Sequence, residues 1–132
     1  MKKSLIILFF ASILLYAKAE AYTFFVYSED RTAIEYVEAV ERAFMNSGHR
    51  IASSENSYLD YYAIVEVNSK KENLSLWILE WEDVEIELKV TIMDPQQQYM
   101  IARESIKAIG DSADKLAEKV VKKIDKALKS RR

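Results

Sequence analysis

Residues 84–92 read VEIELKVTI, and this stretch decides the fold. Apolar side chains alternate there with charged or hydroxyl side chains, which is the period of a β-strand with one buried and one solvent-facing side. Asp94 and Pro95 follow, and a turn is predicted because proline fixes φ and keeps the preceding residue out of the helical region. Residues 99–108 return as the partner strand, so the sequence predicts an antiparallel hairpin.

An amphipathic helix is predicted after this hairpin. Asp111 or Ser112 supplies its N-cap, because a short polar side chain accepts a backbone N–H of the first turn. A spacing of four places one apolar stripe of the helix against the sheet. The residues of this stripe are Leu116, Val120, Ile124 and Leu128.

The first half of the domain predicts a strand followed by a helix. Residues 22–27, YTFFVY, are aromatic or β-branched without a break, as in a strand that is covered on both faces or lies near a sheet centre. Thr32 and Glu35 have the spacing of a capping box, and Gly48 is suited to a left-handed helix end. A helix over residues 32–47 is therefore expected.

Further strands are predicted in the middle of the chain. Residues 49–53 fit a short strand, residues 58–67 fit a clearer one, and residues 74–81 fit a strand or a helix, with the strand favoured. The order of elements predicts an α+β fold. We expect a two-layer sandwich in which an antiparallel or mixed sheet of four to five strands carries two helices on one face.

The amino terminus has the parts of an export signal. Lys2 and Lys3 form a positive end, and residues 4–16 form an uncharged apolar run of 13 residues. A helix of that length reaches about 20 Å, which is short of the roughly 30 Å of a bilayer's hydrocarbon core. Residues 1–19 are therefore predicted to be a secretory signal peptide rather than a stable anchor.

Small residues after the apolar run provide two cleavage positions, after Ala19 or after Ala21. Residues 20–132 would then form a single domain, since 113 residues suffice for one hydrophobic core and not for two. We expect this domain to be periplasmic or secreted.

The sequence contains no cysteine and one histidine, His49. Disulfides and cysteine-linked lipid are thereby excluded, and a zinc site would lack nitrogen and sulfur ligands. His49 follows a helix-ending glycine, so we expect a surface or loop imidazole. The two glycines lie 62 positions apart, which excludes a glycine-rich phosphate loop. We expect no cofactor, no metal and no catalytic residue.

Charge is divided unevenly along the domain. Residues 20–99 hold 16 acidic and 6 basic side chains, whereas residues 100–132 hold 5 acidic and 10 basic ones. The basic side chains of the last helix lie off its apolar stripe, so they are candidates for contact with an anionic membrane surface or an acidic partner. Nucleic acid is not an expected partner of an acidic exported domain. The candidates are Lys122, Lys123, Lys126, Lys129, Arg131 and Arg132.

A group of aromatic residues is the candidate partner-binding surface. Such side chains could line a groove that grips a peptide or stacks on a sugar, because they combine a large contact area with a polar atom. Core packing is the favoured explanation in a domain this small, which needs large side chains to bury enough surface. The group consists of Trp77, Trp81, Tyr58, Tyr61 and Tyr62.

An acidic segment at residues 80–87 suggests an alternative function, a small hydrolase of envelope glycans that uses a pair of carboxylates. Glu85 and Glu87 are spaced by two, however, as on the solvent side of an amphipathic strand. An enzyme is therefore the less favoured class.

Four stretches together resemble known small envelope domains: YTFFVY, NSGHR at the end of the first helix, VEIELKVTIMDPQQQYMIARES, and GDSADKLAEKVVKKIDKAL. Similar patterns occur in the curli-secretion channel protein, in outer-membrane activators of penicillin-binding proteins, and in the amino-terminal domain of the Tol translocation protein. The resemblance implies a non-enzymatic part of an envelope assembly.

The favoured function is thus an exported binding or accessory module of the bacterial cell envelope that acts by contact with another envelope protein. The pattern leaves the identity of that partner and the oligomeric state open.

Overall fold

The computed structural model describes residues 21–55, 57–69 and 85–131. Over these ranges it confirms the predicted α+β class. The strands are β1 (Thr23–Tyr27), β2 (Arg50–Ile51), β3 (Tyr61–Ser69), β4 (Glu85–Met93) and β5 (Met100–Ile109). The helices are α1 (Ile34–Asn46), which follows a 3₁₀ turn at Arg31–Ala33, and α2 (Ala113–Ser130). The predicted signal segment 1–19 and the predicted strand 74–81 lie outside the described residues.

The five strands form one mixed sheet in the order β2-β1-β3-β4-β5. β1 runs parallel to both β2 and β3, and β4 pairs antiparallel with β3 and with β5. A parallel neighbour requires a crossover, and α1 provides it between β1 and β3. The strand predicted from residue 58 begins at Tyr61, because residues 58–60 still belong to the loop.

Both helices pack on the same face of the sheet, as predicted. Phe24 of β1, Phe44 of α1, Leu88 of β4 and Ile124 of α2 belong to one hydrophobic core, and each is fully buried. The whole apolar stripe predicted for α2 is buried in this core. The even-numbered residues of β4 point into the core, so its odd-numbered residues point to the opposite face.

The helix ends confirm two of three expectations. Ser112 caps α2, since its hydroxyl accepts the backbone N–H of Lys115 at 3.2 Å. Gly48 has φ +94°, the left-handed conformation expected at a helix end. The capping box at Thr32 is wrong: Asp30 accepts the Thr32 backbone N–H at 2.9 Å and starts the 3₁₀ turn instead.

The β4–β5 turn is organised by Asp94. One oxygen of its carboxylate accepts the backbone N–H of Tyr99 at 2.6 Å and that of Gln98 at 2.7 Å. Gln97 has φ 56°, so the turn contains a non-glycine residue in the left-handed region. Hydrogen bonds to the charged form, with that from Tyr99 the largest contribution, lower the pKa of Asp94 from its ordinary value.

This lowered pKa predicts a pH dependence of stability. The Asp94 carboxylate stabilises the fold fully above roughly pH 4, the pKa of an unfolded aspartate, and the contribution is lost as the pH falls through the lower pKa of the folded state. Urea unfolding of Asp94→Asn should therefore show a deficit against wild type at pH 7 that shrinks at pH 3. Glu38→Gln, at an exposed helix position, is the control and should show no such deficit at pH 7. An equal deficit of Asp94→Asn at both pH values would contradict the assignment.

Strand β5 forms one edge of the sheet, and α2 shields part of it. The Lys123 Nζ donates to the backbone carbonyl of Ser105 at 3.1 Å, and the Arg131 guanidinium donates to that of Ile101 at 3.1 Å. Cations at a free edge oppose the addition of another strand. These two basic residues therefore have a structural role in addition to any contact with a partner.

Candidate interaction surface

The sheet has a second face on which neither α-helix packs in the described part of the chain. Alternation along the strands brings apolar and polar side chains together there, at one side of β1, β3, β4 and β5. We call this surface the open face. It is defined by Phe25, Tyr27, Tyr62, Ile64, Thr91, Met93 and Arg103.

Aromatic rings form the apolar part of the open face. Tyr62 meets Phe25 edge to face at a centroid distance of 5.9 Å, and it meets Tyr27 in the same way at 6.0 Å. Both are favourable geometries for aromatic pairs. Tyr62 is buried beside Leu59, whereas Phe25 and Tyr27 are half-buried and keep part of their rings accessible.

A cleft of about 430 Å³ adjoins this cluster, between the segment that follows β1, the second half of β3 and the end of β4. Its lining includes the acids Glu29, Asp30 and Glu66 as well as Arg103 and the buried Thr91. The Arg103 guanidinium donates to the Thr91 hydroxyl at 3.0 Å. The open face therefore combines an apolar cluster with a polar recess that contains both signs of charge.

Tyr27 connects the cluster to the β4–β5 turn. Its hydroxyl donates to the Gln97 Oε1 at 3.2 Å. Burial raises the pKa of the Tyr27 phenol, and the negative charge of Glu29 raises it further. The phenol is therefore protonated at neutral pH and remains a hydrogen-bond donor.

The tyrosines of the predicted aromatic group lie on three different surfaces. Tyr58 is 80% exposed in the loop before β3, and its hydroxyl donates to the Asp60 carboxylate at 2.9 Å. Tyr61 packs against the helix-side core, and Tyr62 lies on the open face. Trp77 and Trp81 lie outside the described residues. Of the predicted group, the structure thus places Tyr62 on the open face, with Phe25, Tyr27 and Met93 as neighbours that sequence reasoning did not single out.

The predicted cationic residues all lie on exposed positions of α2 or at its end, except Arg132, which is outside the described residues. Lys123 and Arg131 contact β5, whereas Lys122, Lys126 and Lys129 make no ion pair or hydrogen bond with a described residue. Neither α1 nor α2, the helices of the described ranges, combines the length and the apolar character needed to cross a bilayer.

The acidic segment is described only in part. Glu85 and Glu87 are half-buried on β4, and the Asn68 amide donates to Glu87 at 3.5 Å. Residues 80–84 lie outside the described ranges, so the glycan-hydrolase alternative stays a prediction. Among the described residues, no group of three histidine, aspartate or glutamate side chains could hold a metal ion.

His49 was expected to be a surface or loop imidazole; it lies in the loop between α1 and β2, but its ring is buried rather than on the surface. His49 is 7% exposed and packs edge to face on Phe24 and Phe44. Its Nδ1 accepts the backbone N–H of Tyr22 at 3.1 Å, and its Nε2 lies 2.6 Å from the Asp125 carboxylate. His49 is 27 positions from Tyr22 and 76 positions from Asp125 in the sequence. No local pattern therefore predicted these contacts.

Because the Tyr22 N–H points at Nδ1, this nitrogen must carry the lone pair and Nε2 must carry the proton in the neutral ring. Both nitrogens of the single histidine are therefore engaged within the fold. His49 has a structural role in the described part of the chain, where it joins the start of β1 to α2.

No family model matches the chain, and no curated protein matches it. Solved structures do share its fold. The chain is similar to PelC from Paraburkholderia phytofirmans, solved as a dodecamer, with a TM-score of 0.54, 10% identity, and 83% of this chain and 90% of PelC covered. A minor lipoprotein from Acinetobacter baumannii matches with a TM-score of 0.49 at 11% identity, over 83% of this chain and 94% of the lipoprotein.

TolB from Acinetobacter baumannii matches with a TM-score of 0.53 at 14% identity, over 84% of this chain. The match covers 29% of TolB, so this chain corresponds to less than a third of that protein. The resemblance to the Tol translocation protein that the sequence patterns indicated is therefore confirmed at the level of the fold.

Proposed function

We propose that the protein is an exported accessory module of the bacterial cell envelope that acts by binding another envelope protein through the open face. One observation carries the proposal: an aromatic cluster and an adjoining cleft lie on a sheet face on which neither α-helix packs in the described residues. The export signal predicted for residues 1–19 and the fold shared with TolB support the envelope location.

The open face has the composition of a protein-binding surface. Aromatic side chains with accessible ring area supply most of the binding energy in many interfaces, and a polar rim excludes water and sets specificity. Phe25 and Tyr27 would provide the apolar contact, and Arg103 would provide a charged donor at its rim. A cleft that contains acids as well as an arginine favours a partner with polar side chains of both signs.

The chemistry of the described residues supports binding rather than catalysis. General acid–base catalysis needs a proton carrier that can reach a substrate. His49, the single histidine, is buried and has hydrogen-bond partners at both ring nitrogens. The carboxylates of the cleft are accompanied by Arg103, which in turn is bound to Thr91.

Site-specific photo-crosslinking in the native cell tests the proposal. A benzophenone amino acid at Tyr27 or at Arg103 is expected to give a discrete adduct with one envelope protein, because both positions lie on the open face. Matched controls carry the same amino acid at Tyr36 and at Arg42, which replace a tyrosine and an arginine on α1 instead. The same adducts from both pairs, or none from Tyr27 and Arg103, would contradict a binding role of the open face.

A further inference from the structure

One end of the domain collects features that point to a membrane. β1, β3 and β5 start at this end, and β4 and both helices finish there. Thr23 lies beside Arg50 and exchanges hydrogen bonds with Asp60, and the α2 residue Asp125 is joined to Tyr22 through His49. We call it the entry end, because the chain enters β1 there.

Exposed apolar side chains are concentrated at the entry end. Of the six large apolar side chains that are exposed in the described residues, four lie there: Met45, Tyr58, Tyr99 and Met100. Tyr58 is 80% exposed and Tyr99 68% exposed. Tyrosine is enriched at membrane–water interfaces, where its ring contacts the acyl boundary and its hydroxyl the head groups. The remaining two, Ile34 and Ile109, lie at the opposite end.

Cations also lie at the entry end. The carboxyl-terminal part of α2 brings Lys126 and Lys129 to this end, and Arg131 reaches the start of β5. These lysines extend from the side of α2 opposite its buried stripe, so the helix adsorbs through its charges rather than inserting its apolar side.

The carboxylates at the entry end are already occupied by donors. Asp60 accepts from the Thr23 N–H and the Tyr58 hydroxyl, and Asp94 accepts from the β4–β5 turn. Asp125 is bound by His49 at 2.6 Å. Backbone N–H and hydroxyl donors leave the charges of Asp60 and Asp94 in place, but residues 122–131 at the end of α2 carry five basic side chains against one carboxylate. The end of this helix therefore presents net positive charge on a domain whose residues 20–99 are acidic.

The position at which the chain enters the domain favours a membrane as the surface that the entry end contacts. Residues 4–16 form an apolar run in the sequence, and only residues 17–20 separate it from Ala21 at the start of the described domain. The five residue steps from residue 16 to Ala21 span at most about 17 Å. Until the predicted signal segment is cleaved, the entry end therefore faces the bilayer from which that segment emerges.

We propose that the entry end is a peripheral membrane-contact surface that binds anionic phospholipid. The cations of α2 attract the head-group phosphates, and the exposed tyrosine and methionine side chains enter the interfacial region. This surface lies at an end of the sheet and adjoins the open face, since Met93 pairs with Met100 and Tyr27 donates to Gln97 in the β4–β5 turn.

Vesicle sedimentation with the chain from residue 20 onward tests this proposal. That chain contains every residue of the described core, and circular dichroism with a melting curve verifies that each variant is folded. Binding is expected to vesicles that contain 30% phosphatidylglycerol, not to pure phosphatidylcholine vesicles, and to disappear at 0.5 M salt because the attraction is screened.

Matched variants locate the contact. Lys126→Gln with Lys129→Gln is expected to lower the partition coefficient about 25-fold, since each interfacial lysine contributes about fivefold. Arg31→Gln with Lys107→Gln removes the same charge at the opposite end and should change binding less than about twofold. Tyr99→Ser with Met100→Ser should weaken binding about fivefold, and its counterpart Ile34→Ser with Ile109→Ser should not.

Several results would overturn the proposal. These are no binding to anionic vesicles, equal binding to neutral and anionic vesicles, and equal effects of the two cation pairs. Two results together would assign the entry end to an acidic protein instead. Polyglutamate would compete for the same lysines, and Tyr99→Ser with Met100→Ser would bind vesicles as well as wild type. Photo-crosslinking at Tyr27 is a separate experiment, so the proposed binding role of the open face is tested independently of vesicle binding.

Discussion

Phe24→Ala is expected to lower the free energy of unfolding by about 4 kcal/mol, which is a large fraction of the stability of a small domain. Phe24 is completely buried, and its ring stacks on Phe44 at a centroid distance of 4.1 Å. It also contacts His49 edge to face at 5.1 Å. Truncation leaves a cavity where β1, α1 and the loop before β2 meet, and close-packed neighbours relax into such a cavity only in part.

Phe25→Ala is the matched control, since it removes the same atoms from the neighbouring position. Phe25 is half-buried on the open face, where truncation opens toward solvent rather than into a closed core. A loss of about 1 to 2 kcal/mol is expected. Urea unfolding monitored by circular dichroism measures both variants. Equal losses for the two would mean that the open face is packed as tightly as the helix side.

His49→Ala is expected to lower the free energy of unfolding by about 3 kcal/mol, although nothing in the local sequence distinguishes this residue. The change leaves the Tyr22 N–H without its acceptor and the Asp125 carboxylate without its donor. Unpaired polar groups in a partly buried position lose the hydrogen bonds that water would have made in the unfolded chain. The aromatic contacts with Phe24 and Phe44 disappear as well.

Asp125→Asn is the corresponding control, because an amide oxygen still accepts from Nε2. Asp125→Asn should lower the free energy of unfolding by about 1 kcal/mol, which is the difference between a charge-assisted and a neutral hydrogen bond. A ¹⁵N spectrum of the neutral imidazole should show a protonated Nε2 and an unprotonated Nδ1. A protonated Nδ1 would contradict the arrangement, since two donors would then face each other at Tyr22.

Local patterns predicted most of the secondary structure. Strict alternation predicted β4, because the geometry of a strand repeats every two residues. The spacing of Leu116, Val120, Ile124 and Leu128 predicted α2, because a helix has 3.6 residues per turn. Gly48 was predictable for the same reason, as its left-handed φ ends α1 locally.

Where two local interpretations competed, the structure chose between them. Thr32 has the spacing of a capping residue, yet Asp30 lies two positions earlier and accepts both its N–H and its hydroxyl. Tyr61 and Tyr62 are adjacent in a tyrosine-rich stretch, but consecutive residues of a strand point to opposite faces.

The sequence by itself determined the α+β class, the hairpin, the two helices and the side of each that is buried, because these follow from periodicity and capping within a few residues. The tertiary structure alone decided that β1 lies between β2 and β3 and that His49 contacts Asp125 and Tyr22. It also placed Phe25, Tyr27 and Tyr62 together on the open face. Tyr58, Tyr99 and the lysines of α2 lie at the entry end for the same reason. Those contacts join residues tens of positions apart, and the pairing of strands and helices that creates them is a property of the whole packed core.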